Sequence, residues 1–412
     1  NETIAALLKS ISRDSLCFKK SISIPKNSLE QIALAIKRRF SADKDPEGQT
    51  LVFAVIGDSV AADLHGFVEA LQSFFTLSPH IPFVVEVRNY AHGGKGPCYF
   101  SFCNDLRGDE DVVVFENVRP YEAACVYDMA HTLISDKLGI ILYNWHGPRA
   151  WNMSKDLAGF ERPSNELNLP LIDFPTGRKT ITECLPANVN FSIPEENQIY
   201  RDEVHPNRLG ELIIATMIGQ LFEDATMIYK NMKLDLNKIE KQRLLFVDTV
   251  DHGKKAECFN QLNCSLLPAA GEEFGHNHCL NVISTNGFEK KSLPSGKFWW
   301  EGTLPGHSIQ ILLPGSCLEI ALFHNLRVTN GMVQVEINGQ IPESTALENG
   351  VLDGWFEGFS WLPRERAHER ENIIAYNLQK ADKHIVQLTV INETNSEDGT
   401  HKFDFTSIAC KK

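Results

Sequence analysis

The feature that most constrains this chain is a regular alternation of short apolar runs and helical patterns across residues 51–225. The first run, residues 51–56, is fully apolar and predicts a buried strand. It ends at Gly57-Asp58-Ser59, after which apolar residues recur at helical spacing. Further apolar runs follow at residues 83–87, 112–115 and 138–143. Such a series is typical of βαβ units, so we expect an α/β domain with a parallel sheet.

Three further segments complete this domain. An amphipathic pattern over residues 209–222 predicts a closing helix, and one over residues 29–40 predicts a helix that docks on the domain. Residues 144–200 are rich in Pro and Asn and predict long loops.

From residue 251 the pattern changes to period-two strands without intervening helices, at residues 308–313, 318–323, 333–337, 385–391 and 402–408. Asn338-Gly339 after one of them is a turn signal, and the whole favours an antiparallel, jelly-roll-like β-sandwich. We therefore expect an N-terminal helical extension (1–50), an α/β domain (51–232), a connector (233–250) and a β-sandwich that could bind carbohydrate (251–412). Two domains fit a chain of 412 residues.

The net charge of -13, with Lys and Arg scattered along the chain, argues against nucleic acid and anionic membranes as partners. No apolar run reaches the roughly 18 residues that a membrane helix needs, so no membrane insertion is expected. A neutral or cationic small substrate fits this charge better. The oligomeric state stays open.

Ten cysteines, an even number with no CxxC spacing, favour disulfides, although a reduced protein with inert buried thiols remains an alternative. Sequons at the start of the chain and at four internal sites are compatible with glycosylation, the internal acceptors being Asn152, Asn190, Asn263 and Asn392. The chain begins at Asn1, which suggests that a leader has been removed. We expect a secreted protein or one of the secretory-pathway lumen.

Ser59 is the best candidate for a nucleophile. It follows a buried strand and opens a helix, which places it at the carboxyl edge of the sheet, where α/β folds bind ligands and helix amides favour negative charge. The alternative is an ordinary turn in which Ser59 caps the helix.

The second element is Asp202-Glu-Val-His205-Pro206, directly before the closing helix. An Asp three residues before a His can orient the imidazole and stabilise its charged form, while Pro206 begins the helix. Alternatively, Asp202 caps the helix and His205 is a surface residue.

Together these blocks resemble the GDSL/SGNH hydrolase family. Residues 55–59, Val-Ile-Gly-Asp-Ser, match its first block, and residues 202–210, Asp-Glu-Val-His-Pro-Asn-Arg-Leu-Gly, match its last. The resemblance covers roughly residues 50–225. It implies a three-layer αβα sandwich in which Ser59 attacks an ester carbonyl, His205 acts as the base and Asp202 orients it.

The resemblance also implies oxyanion donors, and here the chain departs from the family. Gly93 or Gly94, after the second strand, can supply the amide of the second block or form a plain turn. The third block reads Glu116-Asn117-Val-Arg-Pro where Gly-x-Asn-Asp is typical, so Asn117 comes early. Arg119 or Asn144 could replace the missing donor, whose loss would cost on the order of 3 kcal/mol.

Other residues carry weaker signals. His146 could line a substrate pocket or be a buried structural histidine. His276 and His278 have a spacing that can bind metal but no third ligand, so neither a metal nor a cofactor is predicted. Tryptophans of the β domain could stack on sugars or pack in its core, these being Trp299, Trp300, Trp355 and Trp361.

The leading hypothesis is a serine esterase that removes acyl groups, most simply acetyl, from a carbohydrate through a Ser59 acyl-enzyme. The expected partner is a small-molecule or polysaccharide ester. Two alternatives stay open: a carbohydrate O-acyltransferase with the same residues, and a non-catalytic binding or structural glycoprotein that retains the fold.

Overall fold

A computed structural model gives the architecture of this chain. The described residues are 22–25, 27–40, 49–58, 60–62, 66–93, 95–103, 106–117, 123–135, 138–144, 158–173, 199–201, 205–231, 256–260, 277–293, 298–355, 368–396 and 398–411. The chain divides into two compact units, Asn1–Ser101 with Leu106–Gly253, and Phe102–Asp105 with Lys254–Lys412.

The first unit is built on a six-stranded sheet of order β1-β6-β5-β4-β2-β3. Its strands are β1 (Ile22–Ser23), β2 (Thr50–Ile56), β3 (Val84–Asn89), β4 (Val112–Asn117), β5 (Gly139–Asn144) and β6 (Leu171–Asp173). Neighbours pair in parallel except for the edge pair of β1 with β6, which is antiparallel. The carboxyl ends of the parallel strands therefore meet at one edge, as the sequence predicts.

Helices cover both faces of this sheet. They are α1 (Ser28–Phe40), α2 (Phe67–Leu77), α3 (Pro97–Phe102), α4 (Ala123–Ser135), α5 (Ala158–Glu166) and α6 (Arg208–Asn231). Helices α1, α2 and α6 share one apolar core with Ile141 and Tyr143 of β5. Residues 140 and 142 of that strand are equally buried and point to the other face, where α4 and α5 pack. The three-layer αβα sandwich is confirmed.

Local sequence explains why α1 forms and docks. Its apolar residues, among them Ile32 and Ile36, are fully buried, while Glu30 lies in its first turn and Lys37, Arg38 and Arg39 in its last, with the signs that suit the helix dipole. Helix α1 covers nearly the residues of the predicted amphipathic helix, and its apolar residues lie in the core of the first unit.

Residues 144–200 contain regular structure that the sequence did not indicate. Helix α5 has a polar sequence with Pro163 inside it, and β6 is only three residues long, so neither shows a clear hydrophobic period. The expectation of loops was wrong for these two elements. Residues 145–157 and 174–198 lie outside the described part of the chain.

Helix α6 is the element with the longest apolar sequence. By length and composition it could cross a membrane, but 78% of its apolar window is buried inside the protein. This burial is typical of the core helix of a globular unit.

The second unit contains two β-sheets. One has the order β10-β11-β18-β13-β16, with β7 and β8 added beside β18, and the other has the order β15-β14-β17-β12-β9. Pairing is antiparallel apart from β7 with β8. The strands are β7 (Ala256–Asn260), β8 (Asn277–Cys279), β9 (Asn281–Asn286), β10 (Glu289–Ser292), β11 (Phe298–Gly302), β12 (Ser308–Pro314), β13 (Glu319–Leu326), β14 (Met332–Ile337), β15 (Val351–Asp353), β16 (His368–Ala375), β17 (Lys383–Val390) and β18 (Phe403–Lys411).

The inner faces of these sheets share one apolar core, to which β12 contributes Ile309 and Ile311 and β18 contributes Phe403 and Phe405. After β14, Asn338 and Gly339 both have positive φ, 54° and 76°, as a type I′ turn requires. The predicted all-β sandwich is confirmed, and so is this turn.

Candidate active site

The turn after β2 carries the first block of the resemblance and is held from two sides. The amide of Asp58 donates a hydrogen bond of 2.7 Å to Oε2 of Glu116, the penultimate residue of β4. The carbonyl of Gly57 accepts one of 2.9 Å from the amide of His92, after β3. Ser59 itself lies outside the described residues, but the backbone that leads to it is fixed by both neighbouring strands.

Position 57 requires glycine because the backbone there lies very close to the Glu116 side chain. A Cβ placed on it would lie 2.4 Å from Oε2 and 2.7 Å from Cβ of Glu116. Any larger residue would push the turn away from β4. The Gly in Gly-Asp-Ser therefore has a packing reason in this chain.

The loop after β3 lies directly beside this turn. The Asn89 side chain donates to the carbonyl of Ala61 at 2.8 Å and accepts from the amide of Ala91 at 2.9 Å. The amide of Lys95 reaches back to the carbonyl of His92 at 3.1 Å, which closes a turn around Gly93. Gly93 thus lies beside the Gly57-Asp58 turn, and its role as an oxyanion donor stays a prediction.

His205 lies in a short loop tied to the start of α6. Its carbonyl accepts from the amide of Arg201 at 3.0 Å, and Tyr200 pairs with Pro206 in an isolated bridge. The side chain of Asn207 accepts from the amides of residues 209 and 210 at 3.0 and 3.2 Å, so Asn207 is the N-cap of α6. The His205 side chain is half-buried at this helix start.

Tyr143 connects these two regions. It is fully buried at the end of β5, opposite Glu116 in the sheet register. Burial raises the pKa of Tyr143 well above its usual value, and the nearby Glu116 carboxylate and Tyr200 hydroxyl add to the rise. Tyr143 is therefore the register partner of Glu116 and lies in the same apolar core as Val60 and Tyr200, one beside each candidate block.

Asn144 and Asp173 form a buried pair at the same edge. They end β5 and β6, and the Asn144 amide donates to the Asp173 carboxylate at 3.1 Å. Asn144 thus lies at the carboxyl edge of the sheet with its amide group bonded to Asp173. Its role as a replacement oxyanion donor stays a prediction.

Sequence reasoning missed three side chains of this edge: Glu116, Tyr143 and Asp173. Glu116 was noticed only as a departure from the third block. A carboxylate inside an otherwise apolar strand is a signal that could have marked it, because buried charges are kept only with partners.

The fold of this chain is similar to that of esterases of known structure. A two-domain esterase (CEX) active on acetylated mannans, co-crystallised with mannopentaose, matches 96% of this chain and 98% of its own, with a TM-score of 0.59 and 14% identity. Another crystal structure of a two-domain esterase (CEX) active on acetylated mannans matches over the same shares with a TM-score of 0.57 and 14% identity. The chain therefore shares the two-domain fold of these esterases. No family model matches the chain, and no curated protein does.

Several predicted site residues of the first unit lie outside the described part of the chain. They are Ser59, Asp202, Gly94, Arg119 and His146, together with the side chain of Asn117. The same holds for the sequons at Asn152, Asn190 and Asn263, whereas Asn392 is described and exposed. Their roles stay predictions.

Disulfides are present in both units of this two-domain fold. The bonded pairs are Cys98–Cys125, Cys103–Cys258 and Cys317–Cys410, and Cys279 is bonded as well. The alternative of reduced thiols is wrong for these cysteines. Cysteines 98 and 103, neighbours in sequence, bond to different partners.

The tryptophans of the β-sandwich differ in their surroundings. Trp300 packs against the apolar core, while the indole of Trp299 donates to the carboxylate of Glu301 at 3.1 Å. Trp355 is half-buried, and Trp361 and His276 lie outside the described residues, as does the side chain of His278. Core packing therefore accounts for Trp300.

Proposed function

We propose that this chain is a carbohydrate esterase that removes acetyl groups from a polysaccharide. Ser59 is the nucleophile, His205 the general base and Asp202 the residue that orients the imidazole. The enzyme acts outside the cell or in the lumen of the secretory pathway.

One observation supports the catalytic assignment most directly. The turn that leads to Ser59 is bonded to Glu116, and Tyr143, the register partner of Glu116, lies in one apolar core with Val60 and Tyr200. Residues beside two blocks about 145 residues apart in sequence thus share one core, which supports their convergence. A nucleophile and its base must converge in this way.

The proposed chemistry follows from these positions. His205 takes the proton of the Ser59 hydroxyl as its oxygen attacks the ester carbonyl carbon, which becomes tetrahedral with a negative oxygen. Amides near Gly93, and Gly94 or Asn117, stabilise that oxygen. The protonated His205 then gives its proton to the sugar oxygen as the carbon–oxygen bond breaks, and in the second step it takes a proton from the water that attacks the acetyl-enzyme and returns it to the Ser59 oxygen as acetate leaves.

The choice of an acetylated polysaccharide is supported by the likeness over both domains. The similar two-domain esterase is active on acetylated mannans and was crystallised with mannopentaose. Acetylated polysaccharides of this kind are neutral, which suits a chain with a net charge of -13. The β-sandwich would bind the glycan chain.

The proposed compartment is supported by the disulfides. Bonds in both units require an oxidising environment to persist, as outside the cell or in the secretory lumen.

Active-site labelling tests the proposal. A fluorophosphonate should label the wild-type protein, whereas Ser59→Ala should abolish labelling and acetate release from acetylated mannan. His205→Ala should lower both by roughly a thousandfold or more. Ser23→Ala, which changes an exposed serine on the edge strand β1, is the matched control and should behave as wild type.

The outcomes separate the alternatives. A folded wild type without Ser59-dependent labelling would point to a non-catalytic glycoprotein. Labelling accompanied by transfer of acetyl to a sugar hydroxyl, with no free acetate, would point to an acyltransferase. Acetate release that persists in Ser59→Ala would overturn the mechanism.

A further inference from the structure

Glu116 is a buried carboxylate in a strand whose other buried residues are apolar. Only 1% of its surface is exposed, and the four strand residues before it, from Val112 to Phe115, are apolar and fully buried. A carboxylate buried among apolar residues is stable only where it has hydrogen-bond or ionic partners. Its Oε2 accepts the amide of Asp58 at 2.7 Å, a charge-assisted bond to the residue just before the proposed nucleophile.

The contact between Glu116 and the turn is tight. Gly57 faces the Glu116 side chain so closely that no Cβ could fit between them. The backbones of β2 and β4 pair up to Ile56 and Phe115, and the next contact between the two segments is made by the Glu116 carboxylate. Through the Glu116 side chain, β4 also contacts the residues that follow β2, in the segment that carries Ser59.

A second carboxylate accepts a backbone amide near the other end of β2. Asp111, just before β4, accepts the amide of Val52 through Oδ2 at 2.8 Å. The two acids hold opposite ends of β2, but only Glu116 is at the carboxyl edge. Asp111 is therefore a natural comparison for a purely structural role.

We propose that Glu116 is a positioning residue for the esterase reaction: its carboxylate holds the Asp58 amide and so orients the turn that presents Ser59 to the ester. It acts through the backbone and touches no reacting atom. The inference rests on the proposed function.

Three variants test it, with 4-nitrophenyl acetate and a fluorophosphonate as probes. Glu116→Ala should lower kcat and the phosphonylation rate of Ser59 by about a hundredfold with little change in KM, because a misplaced nucleophile affects the chemical step. Glu116→Gln keeps an acceptor oxygen at the same distance and should retain activity within about tenfold of wild type. Asp111→Ala should lower stability without changing kcat.

Hydrogen exchange supplies a readout that is independent of activity. The Asp58 amide should exchange faster in Glu116→Ala than in wild type and Glu116→Gln, at a denaturant concentration where all three remain folded.

The results distinguish this inference from the proposed function. If wild type is not labelled at Ser59, both are overturned. If wild type is labelled and Glu116→Ala reacts equally fast, the positioning role alone is overturned. Equal losses of kcat in Glu116→Ala and Asp111→Ala would show a general effect of stability and would also overturn it.

Discussion

His324 is a fully buried histidine in the second unit. Its ring is stacked on Phe403 with 5.4 Å between centroids, and its Nε2 accepts from the side-chain amide of Asn372 at 2.5 Å. Burial, assisted by the charge of Arg370, lowers the pKa of His324 to about 3. The folded protein therefore holds this ring neutral where the unfolded chain, with a pKa near 6.5, would protonate it.

This difference predicts the pH dependence of the second unit. Between pH 6.5 and about 3 the unfolded state binds one more proton, so the free energy of unfolding should fall as the pH falls, by about 1.4 kcal/mol per pH unit. Urea unfolding followed by tryptophan fluorescence measures it. His324→Gln should show a shallower decline over the same window, and equal slopes would contradict the assignment.

At the scale of elements, the Cys98–Cys125 disulfide joins two helices that follow proposed oxyanion segments. Cys98 lies at the start of α3, after the loop of Gly93, and Cys125 lies in the first turn of α4, after the third block. The bond spans 27 residues and restricts how far these segments can separate.

Replacing both cysteines of this bond with serine should therefore affect catalysis as well as stability. We expect a loss of about 2–5 kcal/mol in the first unit and a fall of about tenfold or more in the Ser59 phosphonylation rate. The matched control replaces Cys317 and Cys410, which lie in the sandwich core. That variant should lose stability in the second unit and keep the rate, and equal rates in both variants would refute the positioning role of the first bond.

At the scale of the whole molecule, the disulfides and an exposed sequon point to the same compartment. Asn392 is exposed in the segment between β17 and β18, with Thr394 completing the sequon. A glycan is bulky and solvated, and an exposed segment of this kind accommodates it without disturbing the core.

Expression through a eukaryotic secretory pathway should therefore yield protein that is glycosylated at Asn392. Peptide mass spectrometry before and after enzymatic deglycosylation measures it, with Asn392→Gln as the control that lacks the modified peptide. Protein that is secreted, with glycans at other sequons but none at Asn392, would contradict the prediction.

The amino-acid sequence by itself determined the elements and their class. The strand at residues 51–56, the helix at residues 29–40, the Asn338-Gly339 turn and the change to an all-β unit follow from periods of two and 3.6 residues and from local turn chemistry. These signals are local, so they can be read without knowing the fold. For the same reason α5 and β6, which lack a clear period, were missed.

Only the tertiary structure decided which side chains meet. The bond from Asp58 to Glu116, the place of Tyr143 between two loops, and the pairing of Cys98 with Cys125 rather than Cys103 all join residues far apart in sequence. Such contacts depend on strand order and register, which bring the ends of β2, β4 and β5 together. A sequence pattern predicts the secondary structure of each segment. The neighbours of a buried carboxylate such as Glu116 are determined by the packing of the whole sheet.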